Sequence, residues 1–417
     1  QLNLAATQSA GEFLQDLTAA PNIHDASFRS YGSAHFASGS TVDFSQTGNG
    51  TISIRDGQLV LEIQHAVLDT STNLSPPAVA PNQDTILLAP GSSIVSRTFS
   101  ADRGPDIQLV ADRLQFIGDA DPFSQTRPEG PPVAVLARTN GSGDAGNVTL
   151  RTSGNLELVN YVEVDSSSGL SSDGTAPSSV LAPGNAGTVE LTSTHGNIRM
   201  TGFATTATSQ AGNSSGTAGA VAASAPEGDI LLDGANLFTL AFSEKSHGGG
   251  HVTVTAHNLR MSNFGLISSE IESSPFKPDG ITITLSNALE MTGGSVIAAS
   301  SVSSAPAGDI TLTAKDIVVT QGSIITNAGF ASGDGGDLKI VADTLHVSEG
   351  AQLSSGSTRA PNRGRLLEIL GSINPSGQGG DITIEARGPT RSIVIDGEVS
   401  GIFADTEGTG AGGTINL

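Results

Sequence analysis

An all-β solenoid, specifically a three-sided parallel β-helix, is what this sequence predicts, and three observations carry the prediction. First, a short phrase recurs nine times: a turn, then Gly-Asp or a close variant, then β-formers separated by polar residues. Its copies begin at Pro105, Gly146, Gly187, Gly228, Gly250, Asp279, Gly308, Gly336 and Gly380, and a truncated copy runs from Gly413 to Leu417. The spacings are 41, 41, 41, 22, 29, 29, 28, 44 and 33 residues. Second, β-former triplets follow one another on seven-residue beats, as in Ile310-Thr311-Leu312, Ile317-Val318-Val319 and Ile324-Ile325. Third, hydrophobic content is only 37% while glycine reaches 52 residues, a composition suited to narrow strands joined by tight turns. A strand-and-turn unit of this size cannot bury its apolar side alone and must stack on its neighbours.

Alternation within each triplet puts the first and third side chains on one side and the middle one on the other. Ile310, Leu312 and Ile317 are therefore expected in the core, with Thr311, Lys339, Glu290, Arg260 and His346 outside. The regular β-branched triplets argue against a disordered chain. The fixed beats argue against a sandwich or propeller.

Taken in order, residues 1–30 form an irregular N-terminal segment, expected to act as a cap or assembly element. Residues 31–417 are expected to be one continuous β-helix, cut mid-coil at its C-terminal end. Before residue 100 the strands Val42-Asp43-Phe44, Thr51–Ile54, Leu59–Ile63 and Ile86–Leu88 follow the phrase more loosely. Units longer than the 28-residue coil carry extra material at one corner. Ser166–Asn185 and Thr208–Glu227 read as flexible corner loops, and Ala120–Pro132 as a proline-rich excursion. Within Arg359–Ser376, the stretch Arg363–Gly371 has a basic entry, an apolar body and a glycine stop, so it reads as a short helical insertion.

Net charge is −22, from 41 acidic and 19 basic residues. That balance opposes nucleic acid and anionic lipid as partners. No run approaches the length of apolar residues a membrane span needs. Cysteine is absent, which excludes disulfides, thiolate metal sites and cysteine catalysis. Gln1 opens without methionine or a basic start, so the chain is expected to be an interior piece or a processed product of something longer.

The aspartates Asp106, Asp229, Asp309, Asp337 and Asp381 recur within the phrase and are expected to align along one corner. Their place after glycine or proline suits a corner bond to the following backbone. Carboxylates stacked at the strand spacing also repel, so Ca²⁺ along Asp309, Asp337 and Asp381 is the alternative, and catalysis by paired carboxylates a third reading. His247 and His251, with His257 nearby, read as a solvated loop rather than a metal site. No Gly-x-Ser-x-Gly elbow precedes a helix, and no phosphate loop occurs. In the helical insertion, Arg363, Arg365, Leu366, Leu367 and Leu370 are candidates for contact with another copy or another protein, the alternative being a helix that covers apolar surface on the wall.

The segment Gly50-Thr51-Ile52-Ser53-Ile54-Arg55-Asp56-Gly57-Gln58-Leu59-Val60-Leu61 and the Gly-Asp-Ile-Thr-Leu units resemble the stems of two-partner-secretion exoproteins, the filamentous-haemagglutinin-like family. Leu2–Glu12 is similar to the exit of their secretion domain, whose own asparagine-rich signatures do not occur here. The resemblance implies a right-handed β-helix, exported through an outer-membrane transporter to the surface or surroundings of a Gram-negative bacterium. It also implies use as an adhesin, toxin stalk or surface fibre. Separately, the outward positions are mostly Thr, Ser and Asn rather than convergent Asp, Glu, Arg or Lys, so the chain is expected not to be an enzyme. Partners would be further coils of a longer chain or other copies, end to end, and a host or matrix glycan or protein. A self-assembling filament subunit and a polysaccharide-binding or -degrading β-helix are the alternative readings.

Overall fold

In the computed structural model the described residues are 2–5, 33–36, 42–43, 51–55, 58–61, 85–88, 93–98, 101–104, 106–118, 132–170, 181–357, 375–388 and 391–417. They form 33 strands and no helix, and every strand pairing is parallel. The pairings sort into three ladders, one for each face of a parallel β-helix. On the first face Ile107, Val148, Val189, Val221, Val252, Ile281, Ile310, Leu338, Ile382 and Ile415 stand one above another. On the second, the column runs Leu114, Leu156, Ile198, Ile230, Leu259, Leu289, Ile317, Leu345 and Ile393. On the third it runs Ile94, Val135, Val164, Ala207, Leu237, Ile267, Ile297, Ile325, Leu353 and Ile402.

Up to Ile382, Leu345 and Leu353 these columns are the core. Ile310, Leu312 and Ile317 are fully buried, whereas Thr311 between the first two is partly exposed, as alternation requires. Each buried Ile or Leu contributes roughly 1.5–3 kcal/mol of transfer free energy. Stacking aliphatic side chains at the inter-strand spacing lets each pack on the one in the coil below.

The glycine of the phrase has a specific cause. A Cβ on Gly250 would fall inside the carbonyl oxygen of Gly219, and one on Gly336 inside that of Gly308, so successive coils touch backbone to backbone at this corner. Interior serines finish the contact. Ser166 Oγ donates to Gly146 O at 2.7 Å, Ser209 Oγ to Gly187 O at 2.8 Å and Ser269 Oγ to Gly250 O at 2.7 Å.

This glycine column corrects the expected repeat. The Gly228-Asp229-Ile230-Leu231-Leu232 copy lies on the second face, where Ile230 pairs with Ile198 and Leu259. The first-face entry of that coil is Gly219, followed by Val221-Ala222-Ala223, so the irregular spacings of 41 and 22 become 32 and 31. Alanine in place of a β-branched residue hid this strand from the sequence pattern. The expected loop Thr208–Glu227 is accordingly corrected at both ends, where the strands Thr206–Ala211 and Val221–Asp233 occupy it. Ser166–Ser168 likewise close the strand Val162–Ser168, while residues 171–180 lie outside the described residues. Leu2–Ala5 is a first-face strand paired with Thr51–Arg55, and the remainder of residues 1–30 lies outside the described residues. So do 119–131 and the whole of 363–370, including Arg363, Arg365, Leu366, Leu367 and Leu370.

The corner between the second and third faces is a stack of left-handed turns. Asn160, Asn263, Gln321 and Glu349 take positive φ there, beside Gly202, Gly293, Gly322 and Gly350. Val399 takes φ of 57° on the last coil, a conformation its branched Cβ strongly disfavours.

Candidate functional site

The aspartate row exists, and its bonds explain its position. Asp309, Asp337 and Asp381 stand on successive coils at the entry to the first face. Asp309 Oδ1 accepts the backbone N–H of Asp337 at 2.9 Å, Asp337 Oδ1 that of Asp381 at 3.0 Å, and Asp381 Oδ1 that of Thr414 at 2.8 Å. Lower in the same column, Asp106 Oδ1 accepts from Asn147 N at 2.6 Å and Asn147 Oδ1 from Thr188 N at 2.9 Å. Each side chain thus satisfies a donor one coil on, rather than on its own corner as the sequence suggested.

Asp229 does not belong to this row. It stands at the corner between the first and second faces, in a ladder that sequence reasoning missed. Asn197 N donates to Asn155 Oδ1 at 3.0 Å, Asp229 N to Asn197 Oδ1 at 2.8 Å, Asn258 Nδ2 to Asp229 Oδ1 at 2.7 Å and Asn287 Nδ2 to Asn258 Oδ1 at 2.8 Å. Asx residues recurring at 42, 32, 29 and 29 residues were the available signal.

As calcium ligands, Asp309, Asp337 and Asp381 offer one carboxylate per coil, and every Oδ1 already accepts an N–H. Asp309 also receives Lys277 Nζ at 2.8 Å on both oxygens. Among the described residues no three His, Cys, Asp or Glu side chains converge as a metal cluster. The histidines do not converge either. His247 stacks on Phe276 with centroids 5.2 Å apart, His251 Nδ1 meets Asp279 O at 3.0 Å, and His257 Nδ1 meets Ser286 Oγ at 2.8 Å.

The chemistry that stands out lies on the outer side of the third face. Arg138 is buried there. Its Nε donates to Asp165 Oδ2 at 2.6 Å and its other arm to Glu163 on the same neighbouring coil. Ser167 donates to Asp165 as well. Burial alone would lower the guanidinium pKa, but attraction from Asp165 and Glu163 outweighs it and raises the pKa further. Further along, burial pushes the Glu270 carboxyl up to about 7, a hydrogen bond from Ser268 working against it and the charge of Glu272 adding to it. Burial raises the Glu272 carboxyl too. No single motif marks the Arg138 cluster in the sequence, because its partners sit one coil away.

The last coil differs from those below it. Val394, Ile395, Ile415 and Leu417 are exposed there, the last by 74%. No family model, no curated protein and no solved structure matches the chain.

Proposed function

We propose that this chain is a rigid structural or adhesive segment of a secreted or surface protein of a Gram-negative bacterium, rather than an enzyme. The observation that supports it best is the repeated coil-to-coil fastening at the first-face corner. Gly contacts, Ser–Gly bonds and Asx–N–H bonds tie successive coils along the rod, and the recurring motif is fully used in doing so. In a solenoid built this way each coil bears only on its neighbours, so stability accumulates coil by coil along the axis. The resemblance to two-partner-secretion exoproteins supports export through an outer-membrane transporter and display at the cell surface.

Electron microscopy of the purified chain, with glycan-binding and polysaccharide-turnover assays on the same sample, tests the reading. Uniform straight rods or end-to-end fibres without turnover are expected. Turnover of a polysaccharide that one carboxylate substitution abolishes would replace this reading with an enzymatic one.

A further inference from the structure

The third face carries a pair of half-buried carboxylates, Glu270 with a hydrogen bond from Ser268, and neither with a cationic partner among the described residues. Glu270 lies in register between Leu240 on the coil before and Ser300 on the coil after. Glu272 follows beyond the inward Ile271, between Phe242 and Val302 in the same register. Three of these four neighbours are apolar. The fourth, Ser300, is only 1% exposed, and its hydroxyl has no hydrogen-bond partner. Strand alternation places that hydroxyl on the outer side, with Glu270. Among the described residues neither carboxylate belongs to an ion pair.

We propose that Glu270, Glu272 and the Ser300 hydroxyl form a calcium site. Two carboxylates supply up to about four oxygens and the hydroxyl a fifth, leaving water to complete the six to eight that calcium takes. The donor set is oxygen alone, which selects a hard cation over zinc or copper. Its spread over two coils suits calcium's flexible geometry better than the tight octahedron of magnesium. A bound cation would compensate the two half-buried charges and give the orphaned hydroxyl a partner. The corner aspartates are a different case, since their Oδ1 atoms are already engaged with backbone N–H groups.

The test is a calorimetric titration of the EDTA-treated chain with CaCl₂ above neutral pH, paired with thermal melts. Calcium is expected to bind and raise the melting temperature. Glu270→Gln or Glu272→Gln should each weaken binding by about tenfold or more, and Ser300→Ala by less. Asp337→Asn should leave affinity unchanged. Far-UV circular dichroism checks that each variant folds, and the two glutamine variants serve as independent readings should one fail. Absence of calcium binding by the unsubstituted chain would overturn the proposal. So would binding that survives both glutamine substitutions or disappears with Asp337→Asn.

Discussion

The first and third faces of this β-helix obey the same register yet differ in what they do with their outer positions. On the first face Thr253, Thr282 and Thr311 repeat in line, and the corner is a column of glycines and Asx residues. On the third face, the outer positions hold a buried arginine clasped by two carboxylates, and a second carboxylate pair framed by apolar side chains. Regularity therefore marks architecture, and chemistry collects where the pattern breaks. A repeated aspartate is a poor guide to a site when the same bond to the next coil recurs at Asp106, Asp309, Asp337 and Asp381.

Substitutions can break this comparison, beginning with the core both faces share. Ile310→Asp buries an unpaired charge in a packed column and should cost about 4–5 kcal/mol or more, enough to unfold the segment. Thr311→Asp, one residue on and outside, should shift the denaturation midpoint by the equivalent of about 0.5 kcal/mol or less. Equal losses at the two sites would contradict the register. Arg138→Ala comes next. It leaves Asp165 and Glu163 without their cation and should cost about 3–5 kcal/mol, far more than Arg260→Ala on the exposed Arg260–Glu290 pair.

Smaller effects sharpen the corner account. Asp337→Ala strands the backbone N–H of Asp381 and should cost about 1–2 kcal/mol in urea denaturation, whereas Asp337→Asn keeps an acceptor and should cost little. Val399→Gly removes a left-handed valine and should stabilise by about 1 kcal/mol, visible as a raised melting temperature.

The pH dependence of Glu270 follows from its raised pKa. The folded protein holds this proton more tightly than the unfolded chain does, so protonation favours the fold. The contribution is complete below the ordinary carboxylate value of 4.5 and is lost as pH rises through about 7. In calcium-free buffer, Glu270→Gln should flatten that part of the stability profile and leave the rest unchanged. Parallel profiles for the two proteins would contradict it.

Much of the fold was legible because β-branched triplets declare themselves wherever they occur, as at Ile281-Thr282-Ile283. The coil entered at Gly219 was not, because Val221-Ala222-Ala223 carries too little β-former signal to compete with Ile230-Leu231-Leu232. The function of Gly-Asp was legible only as a corner, since no local pattern shows that a side chain reaches the next coil. The Arg138 cluster was invisible for the same reason, its partners lying 25 and 27 residues away.

The central claim is that coils stack one strand spacing apart whatever their length, which on the first face runs from 28 residues (Ile310 to Leu338) to 55 (Ile52 to Ile107). With no native cysteine, spin-label pairs can be placed at will on the outer column of the first face. Thr149 and Thr311 are five coils apart in that column, and Thr149 and Thr383 seven, by the pairing register. At roughly 4.8 Å per coil, electron–electron double resonance should give about 24 Å and about 34 Å. Distances that follow sequence separation instead of coil number, or a broad distribution for either pair, would contradict the account.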